Sequence, residues 1–332
     1  MADAFGPIEG RDLPFEEVFA VLGNTTRLQI LNALFEEVSP ATDHSELSFS
    51  TLYDRVDYDT PANFSYHINQ LVDLGVVAQT DTGYTLTLPG TMMVRKLIEG
   101  WTIASDAPLI EPTDIDVDCP RCQTTVRMSY YGGILRAYCP CCADGIDAKR
   151  DRNEVSGDHP VTAPFLGMSV PPTGLVGRDP NEVFHGACAY FFSRIQTHLN
   201  GICPTCAYEV DRSVVIRDDY DPTTDSSELE QLDPLTLAEV ICPNCKTHLT
   251  VPVRRAIQTH AAVTAFYYDH GIDHEFVSWD AYRRSWTYDE EILSTEPIRI
   301  RITVPLEDSR LDLTVDDTLC VVEHCREGAG SI

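Results

Sequence analysis

Lysine is almost missing from this chain: only Lys96, Lys149 and Lys246 occur, and the other 21 basic residues are arginines. Positive charge of any kind is scarce, with 24 basic residues against 52 acidic and a formal net charge of −28. A domain this poor in cations can make few phosphate contacts, so counterion release cannot carry its affinity for a nucleic acid. No stretch approaches 18 consecutive apolar residues, so no segment is expected to span a membrane. The opening "MADAFGPIEGRDLPFEE" lacks a basic n-region and an apolar h-region, so no signal peptide is expected. A cytoplasmic protein is the expectation, and there paired cysteines mean metal or redox chemistry before disulfides. There is no phosphate-cradling glycine-rich loop, no nucleophile elbow and no HExxH, so no enzyme is expected.

What is abundant is aspartate, 31 residues against 21 glutamates. High Asp, scarce Lys and a pI near 4.5 suggest a protein of a high-salt cytoplasm, where hydrated carboxylates keep the chain soluble and salt screens their repulsion. The hydrophobic fraction is 43%, which indicates a globular protein, and 332 residues suffice for two or three domains.

Cysteine divides the chain. Residues 1–118 have none, and all twelve lie between Cys119 and Cys325. "SDAPLIEPTDIDVD", residues 105–118, reads as a linker at that shift. The organisation expected is an N-terminal domain over 1–104, a linker over 105–118, a first ribbon over 119–156, and a C-terminal α+β domain over 157–332. That last domain contains a second ribbon, at 203–253. The fold class expected is α+β.

In the first domain, "PFEEVFAVLGNTTRLQILNALFE" reads as two helices broken at Gly23-Asn24, and "FSTLYDRV" as a short third. A fourth helix opens with Thr60 and Pro61 and ends at Gly75. Phe64, Ile68 and Leu71 fall on one side of it; Tyr66, Asn69, Gln70 and Asp73 fall opposite. "VVAQTDTGYTLTL" then alternates as a hairpin. This order is that of a winged helix-turn-helix.

"LGNTTRLQILNAL", "FSYHINQLVDLGVV" and the hairpin resemble the arsenic-repressor (ArsR-like) family of winged-helix regulators, over about Phe15 to Trp101. The resemblance implies duplex DNA as partner, read by the fourth helix. Asn63 and Gln70 are amides suited to adenine, Ser65 and Tyr66 suit phosphate or a thymine methyl, and Arg55, Gln79 and Thr80 suit the backbone. His67 lies nearer the apolar side and reads as a packing residue. Metal-sensing members carry cysteines in the third helix; this one has none, so no sensor site is carried over. "TMMVRKLIEGWTIA" puts Val94, Leu97, Ile98 and Trp101 at helical spacing. In the resembling family the equivalent helix makes a two-fold interface, which implies a homodimer through residues 91–104; packing within its own domain is the other reading.

Residues 1–105 hold five basic residues against fifteen acidic, a net of −10. In molar salt the Debye length falls to roughly 3 Å, so distant carboxylates no longer repel phosphate. DNA binding and the high-salt reading therefore stand together.

One motif occurs four times: "CPRC" (Cys119, Cys122), "CPCC" (Cys139, Cys142), "CPTC" (Cys203, Cys206) and "CPNC" (Cys242, Cys245). Two thiolates three residues apart on a tight turn grip one tetrahedral ion, and a second turn completes a set of four cysteine ligands. Pairing adjacent knuckles predicts two zinc ribbons and two structural Zn2+ ions, with pairing across ribbons as the alternative. Iron uses the same ligands. The first hairpin should turn at Gly132-Gly133, and an acidic insertion interrupts the second ribbon. Cys141 reads as a spare, Cys188 as a core cysteine with His185/Cys188 as a possible half-site, and Cys320, in a strand-like run, and Cys325, in the tail, as structural or incidental. Val253 to Ile272 reads as one long helix, "WDAYRRSW" as a short one, and residues 296–323 as a terminal hairpin. A winged helix followed by ribbons also resembles basal initiation factors of the transcription-factor-E type. That implies an alternative, a module that docks on RNA polymerase or another transcription-machinery protein.

Overall fold

The computed structural model describes residues 15–38, 46–56, 58–100, 109–119, 122–141, 166–217 and 235–328. Cys142 and Trp101, together with most of the acidic insertion, lie outside them. The chain is α+β and forms two compact units, Met1–Ile103 and Ala104–Ile332.

The first unit runs α1 (Phe15–Leu22), α2 (Thr25–Glu36), α3 (Phe49–Val56), α4 (Pro61–Leu74), the hairpin β1 (Val77–Gln79) and β2 (Tyr84–Leu86), then α5 (Leu88–Gly100). Asn24 caps α2 through its side chain, which accepts from the Arg27 N–H. Ile30, Leu31, Leu34, Leu52, Phe64, Ile68 and Leu71 are all but fully buried and form the core of this unit. α4 ends at Gly75, whose φ of 83° is the left-handed stop that only glycine adopts without strain. Gly90, in the first turn of α5, passes so close to the Val76 carbonyl that a Cβ there would fall on its oxygen.

The second unit opens with an antiparallel sheet in the order β3 (Ile110–Asp118), β4 (Thr125–Tyr131), β5 (Ile134–Tyr138) and β6 (Leu166–Ser169). Most of what reads as a linker in the sequence is thus a strand. Ile115 and Val117 point into the core while Asp114, Asp116 and Asp118 alternate with them. The domain boundary placed at 156/157 does not divide the structure either, because β6 pairs with β5 in one sheet. β4 and β5 turn at Gly132 and Gly133, both with positive φ (60° and 81°), the conformation of a type I′ hairpin.

α6 (Pro180–Leu199) starts with a capping box, in which the Asp179 side chain and the Glu182 side chain bond reciprocally to backbone N–H groups. It lays Val183, Phe184, Ala187, Cys188 and Phe192 into the core under Val126, Met128 and Leu135 of the sheet. Asn181 pins its first turn to β3 by exchanging two hydrogen bonds with Asp116, of 2.7 and 3.0 Å.

A three-stranded sheet follows, β7 (Asp211–Ile216), β8 (Thr236–Ile241) and β9 (His248–Pro252). Next come α7 (Ala261–Asp269) and α8 (Trp279–Arg284). The meander β10 (Asp289–Thr295), β11 (Ile298–Leu306), β12 (Ser309–Asp316) and β13 (Val321–Glu327) closes the unit. The long helix read over 253–272 is instead a 3-10 turn at Val253–Arg255 and a short helix that begins only after His260. The His260 ring stops it there by accepting from the Ala262 N–H. Cys325 is no tail residue; it lies in β13, opposite Asp312.

The 3-10 turn puts Arg255 in the core, 4% exposed, between the rings of Phe192 and Tyr282, with its Nη1 donating to Gln258 Oε1 at 2.6 Å. Burial drives its pKa down to about 10. The aromatic faces supply the attraction that a carboxylate normally gives a buried guanidinium.

Candidate metal centres and the face of helix α4

Three of the four cysteine knuckles are built by the same backbone turn. Cys119 N–H donates to Thr124 O at 2.9 Å and Gln123 N–H to Cys119 O at 2.9 Å. Cys203 with Tyr208 and Ala207, and Cys242 with Thr247 and Lys246, repeat the pair at 2.8–3.0 Å. The residue four places after the leading cysteine is left-handed every time: Gln123 at φ 60°, Ala207 at 58° and Lys246 at 62°. None of the three is glycine. A side chain held left-handed costs about 1–2 kcal/mol and persists only where surrounding contacts over-determine it. Three copies of one strained turn, each opening on a CPxC, are three copies of one ligand-presenting device.

The turns bring sulfurs together. Cys203, Cys206, Cys242 and Cys245 place all four Sγ atoms within 4.8 Å of one another. Cys203–Cys245 and Cys206–Cys242 are both 3.5 Å apart. Cys119, Cys122 and Cys139 gather likewise, with Cys122 and Cys139 3.4 Å apart. A disulfide requires about 2.05 Å. Four sulfurs about 2.3 Å from one Zn2+ stand roughly 3.8 Å apart at the corners of a tetrahedron. The clusters therefore fit a metal ion and exclude disulfides. Adjacent knuckles pair, rather than knuckles of different ribbons. Cys141 is described but is not part of the first cluster.

The sulfurs receive donors. Burial is the largest influence on Cys203 and opposes ionisation, yet the N–H groups of Cys206 and Thr205 hold its pKa below the usual thiol value. The Asn244 side chain and the Tyr208 N–H lower Cys206, and the Thr247 hydroxyl and N–H lower Cys245. Burial pushes Cys242 up, to about 11. An arriving cation displaces the thiol protons, since the metal takes thiolates. Thr247 Oγ1 is 2.9 Å from Cys245 Sγ, and Thr124 Oγ1 is 3.3 Å from Cys122 Sγ. These threonines escape a motif search centred on cysteine, although "CPRCQT" and "CPNCKT" repeat them two places after the second thiol.

Among the described residues the remaining cysteines take no part in either cluster. Cys188 is fully buried in the α6 core, and burial pushes its thiol up to about 12, while His185 on the same helix is exposed. They form no half-site. Cys320 and Cys325 are exposed.

In the first unit, α4 packs Phe64, Ile68 and Leu71 inward. Asn63 and Tyr66 are exposed, and Ser65 and Gln70 are half-buried. Tyr66 is 57% exposed. α4 contains a single ionised side chain, Asp73 in its last turn. Thr60 sits at its N-cap without a side-chain cap hydrogen bond. Of the remaining candidates, Gln79 is exposed at the end of β1. Arg55 is ion-paired with Glu37, and the Thr80 hydroxyl donates to Glu46 while accepting from the Gly83 N–H. Those two are committed inside the protein.

Residues 116–321 match the family model described as Domain of unknown function (DUF7351), which covers more than half of the chain. The protein belongs to the DUF7351 family. Both cysteine clusters fall inside that match, so the candidate metal centres lie within the DUF7351 region. Residues 15–97 match a second model, Domain of unknown function (DUF7347), which spans α1 to most of α5. No curated protein and no solved structure matches the chain. Among the described residues no helix is long and apolar enough to cross a membrane.

Proposed function

We propose that this DUF7351 protein is a zinc-containing transcriptional regulator that reads duplex DNA through α4 as a winged helix-turn-helix, resembling the ArsR-like family. The observation that carries the reading is the face of α4. Asn63, Tyr66 and Gln70 stand at i, i+3 and i+7, on one side of a helix with no acidic residue before Asp73, in a unit rich in carboxylates. Asn and Gln bond adenine bidentately in the major groove, and a tyrosine held in solvent has an apolar face for a thymine methyl. The uncapped N-terminus adds the positive end of the helix dipole, which favours a phosphate. Ser65 lies beside this row on α4, Gln79 at the exposed end of β1 would touch the DNA backbone, and Arg55 and Thr80 would reach it only by exchanging Glu37 and Glu46 for it.

Each cysteine cluster would hold one Zn2+, with Cys142 supplying the fourth thiolate of the first. Four thiolates leave a tetrahedral ion no open position, so both ions act in folding rather than in catalysis. A second copy of the chain would dock on α5, where Leu88, Met92, Leu97 and Ile98 are exposed. Leu97 and Ile98 border a groove of about 810 Å³ shared with Leu28, Leu31, Val56 and Val94. Apolar burial is strengthened rather than screened by kosmotropic salt, which suits an acidic dimer.

The test is selection from a randomised duplex library in molar KCl, with the metal-loaded wild type beside Tyr66→Ala/Gln70→Ala. Enrichment of a motif that the double variant no longer selects supports the reading. No enrichment by folded wild type refutes it. The acidity of the first unit favours a second reading, a transcription-machinery module docking on a basic protein partner, which retention of RNA polymerase subunits would reveal.

A further inference from the structure

His67 lies on α4, and its ring is engaged at both nitrogens. Arg27 Nε donates to His67 Nδ1 at 3.4 Å, and Tyr58 Oη is 3.1 Å from His67 Nε2. Arg27 is also tied to the end of α1, where its Nη1 donates to Val21 O at 2.7 Å and Ala20 O at 3.4 Å. Its own N–H is the one that the Asn24 cap receives. Tyr58 stands edge-on to the His67 ring at 5.5 Å, and the Tyr66 ring lies 5.5 Å from His67. One imidazole therefore joins the α1–α2 junction, the approach to α4 and the aromatic ring of its exposed face.

We propose that Arg27, His67 and Tyr58 form a positioning relay that fixes the rotation of α4 on its scaffold and so sets where Asn63, Tyr66 and Gln70 point. The proposal deepens the DNA-binding reading and rests on it. A guanidinium only donates, so Nδ1 must be the accepting nitrogen. Nε2 then carries the proton and donates to Tyr58. Only this neutral tautomer completes the chain. A second proton would sit on Nδ1 and face the Arg27 N–H, exchanging a hydrogen bond for the repulsion of two cations.

Arg27 from α2 is the one charge acting on the ring among the described groups; the phenols of Tyr58 and Tyr66 are the other titratable groups against it. Partial burial and then the Arg27 charge hold the His67 pKa below the ordinary imidazole value. The sign follows. The unfolded chain takes up a proton at about pH 6.5, before the folded chain does, so the relay's contribution is intact above that pH. It is lost as pH falls from there through the folded value. Contact pairs at this range are little affected by molar salt.

The experiment uses the full metal-loaded chain in molar KCl: wild type, His67→Asn, His67→Phe and Tyr58→Phe. Affinity for the selected duplex is measured from about pH 7.5 to about pH 5.5, spanning imidazole titration. Backbone amide exchange over α4 is followed on the same samples. Wild-type affinity should fall about tenfold on acidification, the worth of roughly one hydrogen bond near the upper end of its usual range. His67→Phe should start about tenfold weaker and show no pH dependence. The asparagine oxygen stands where Nδ1 stood, so His67→Asn should recover affinity at the higher pH yet stay flat. Tyr58→Phe removes one oxygen and should weaken binding while keeping the pH profile. A flat wild-type profile, or His67→Phe that binds as wild type does, overturns the relay. If His67→Phe does not fold, wild-type binding by Tyr58→Phe at both pH values overturns it. If wild type selects no duplex, the DNA reading fails and exchange decides the relay. Faster α4 exchange in His67→Phe (or in Tyr58→Phe if that variant does not fold) and in acidified wild type sustains the relay; unchanged exchange in both overturns it.

Discussion

Removing the metal from the Cys203/Cys206/Cys242/Cys245 cluster should unfold most of the second unit. A structural zinc site contributes about 10–16 kcal/mol of folding free energy in small peptides near neutral pH. Against that, the left-handed Ala207 and Lys246 would relax in a metal-free chain and return about 2–4 kcal/mol. The net still rivals the whole stability of an ordinary domain, about 5–15 kcal/mol. The loss should not stay local. Val240, Cys242, Val251 and Val253 belong to the same buried cluster as Phe184, Trp279 and Val304, so the three sheets of this unit share one core. Trp279 is buried and meets Trp286 edge to face at 5.9 Å, which makes near-ultraviolet circular dichroism a reporter of that core. The assay is chelation in molar KCl, with released metal counted and the tryptophan signal followed, beside Cys242→Ser. Two equivalents of zinc should leave, and the near-ultraviolet signal should collapse. Cys242→Ser should retain one equivalent. Losing even a third of one site's contribution, about 3–5 kcal/mol, lowers the midpoint of a unit this size by roughly 6–20 °C. Release of both metals with an unmoved transition would refute the reasoning, and iron or no metal would refute the zinc assignment.

Cys188 should resist alkylation in the folded protein at mild alkaline pH and react only on unfolding. Its folded pKa of about 12 lies above the unfolded value of about 8.5, so its contribution to stability is complete below the lower value. That contribution is lost as pH rises between the two, by at most about 1.4 kcal/mol per pH unit, which denaturant titrations across the range would show. Gly90→Ala should destabilise the first unit by about 1–3 kcal/mol, because the new methyl meets the Val76 carbonyl rather than a side chain that can swing away. Differential scanning calorimetry should show the change in the transition of that unit, with the metal-dependent transition unmoved.

The metal clusters are legible in the sequence because ligand chemistry dictates spacing: two thiols on one ion must sit three residues apart on a tight turn, whatever surrounds them. The hairpin at Gly132-Gly133 is legible for a similar reason, since its turn demands positive φ twice. β3 is not. Its buried Ile115 and Val117 alternate with aspartates, which disfavour strands, so a correct period-2 pattern reads as a polar connection. In so acidic a chain the outward face of a strand looks like a loop. The segment 253–272 misleads differently. Its apolar content suits a helix, but Val253 and Ile257 are buried around a 3-10 turn and the His260 ring fixes the later helix start. Helical spacing alone puts His67 beside the apolar side of α4, yet one of its partners is Arg27, 40 residues away in sequence, and no local pattern announces such a contact. The exposed row of α4 needs only helical spacing to be seen.

α6 has a consequence for how the metals are loaded. Its first turn is bonded to Asp116, three residues before Cys119, and Cys203 follows its last residue by four. Twenty helical residues make a rod about 30 Å long between the two cysteine clusters. The eight knuckle thiols of an unfolded chain can grip an ion in many wrong combinations. Once α6 has formed and Asn181 has bonded Asp116, the Cys119 turn is tied to one end of that rod and Cys203 to the other, which works against sharing an ion between clusters. The helix thereby sorts ligands during folding, and a chain in which it is broken should load the same quantity of metal into mismatched sets.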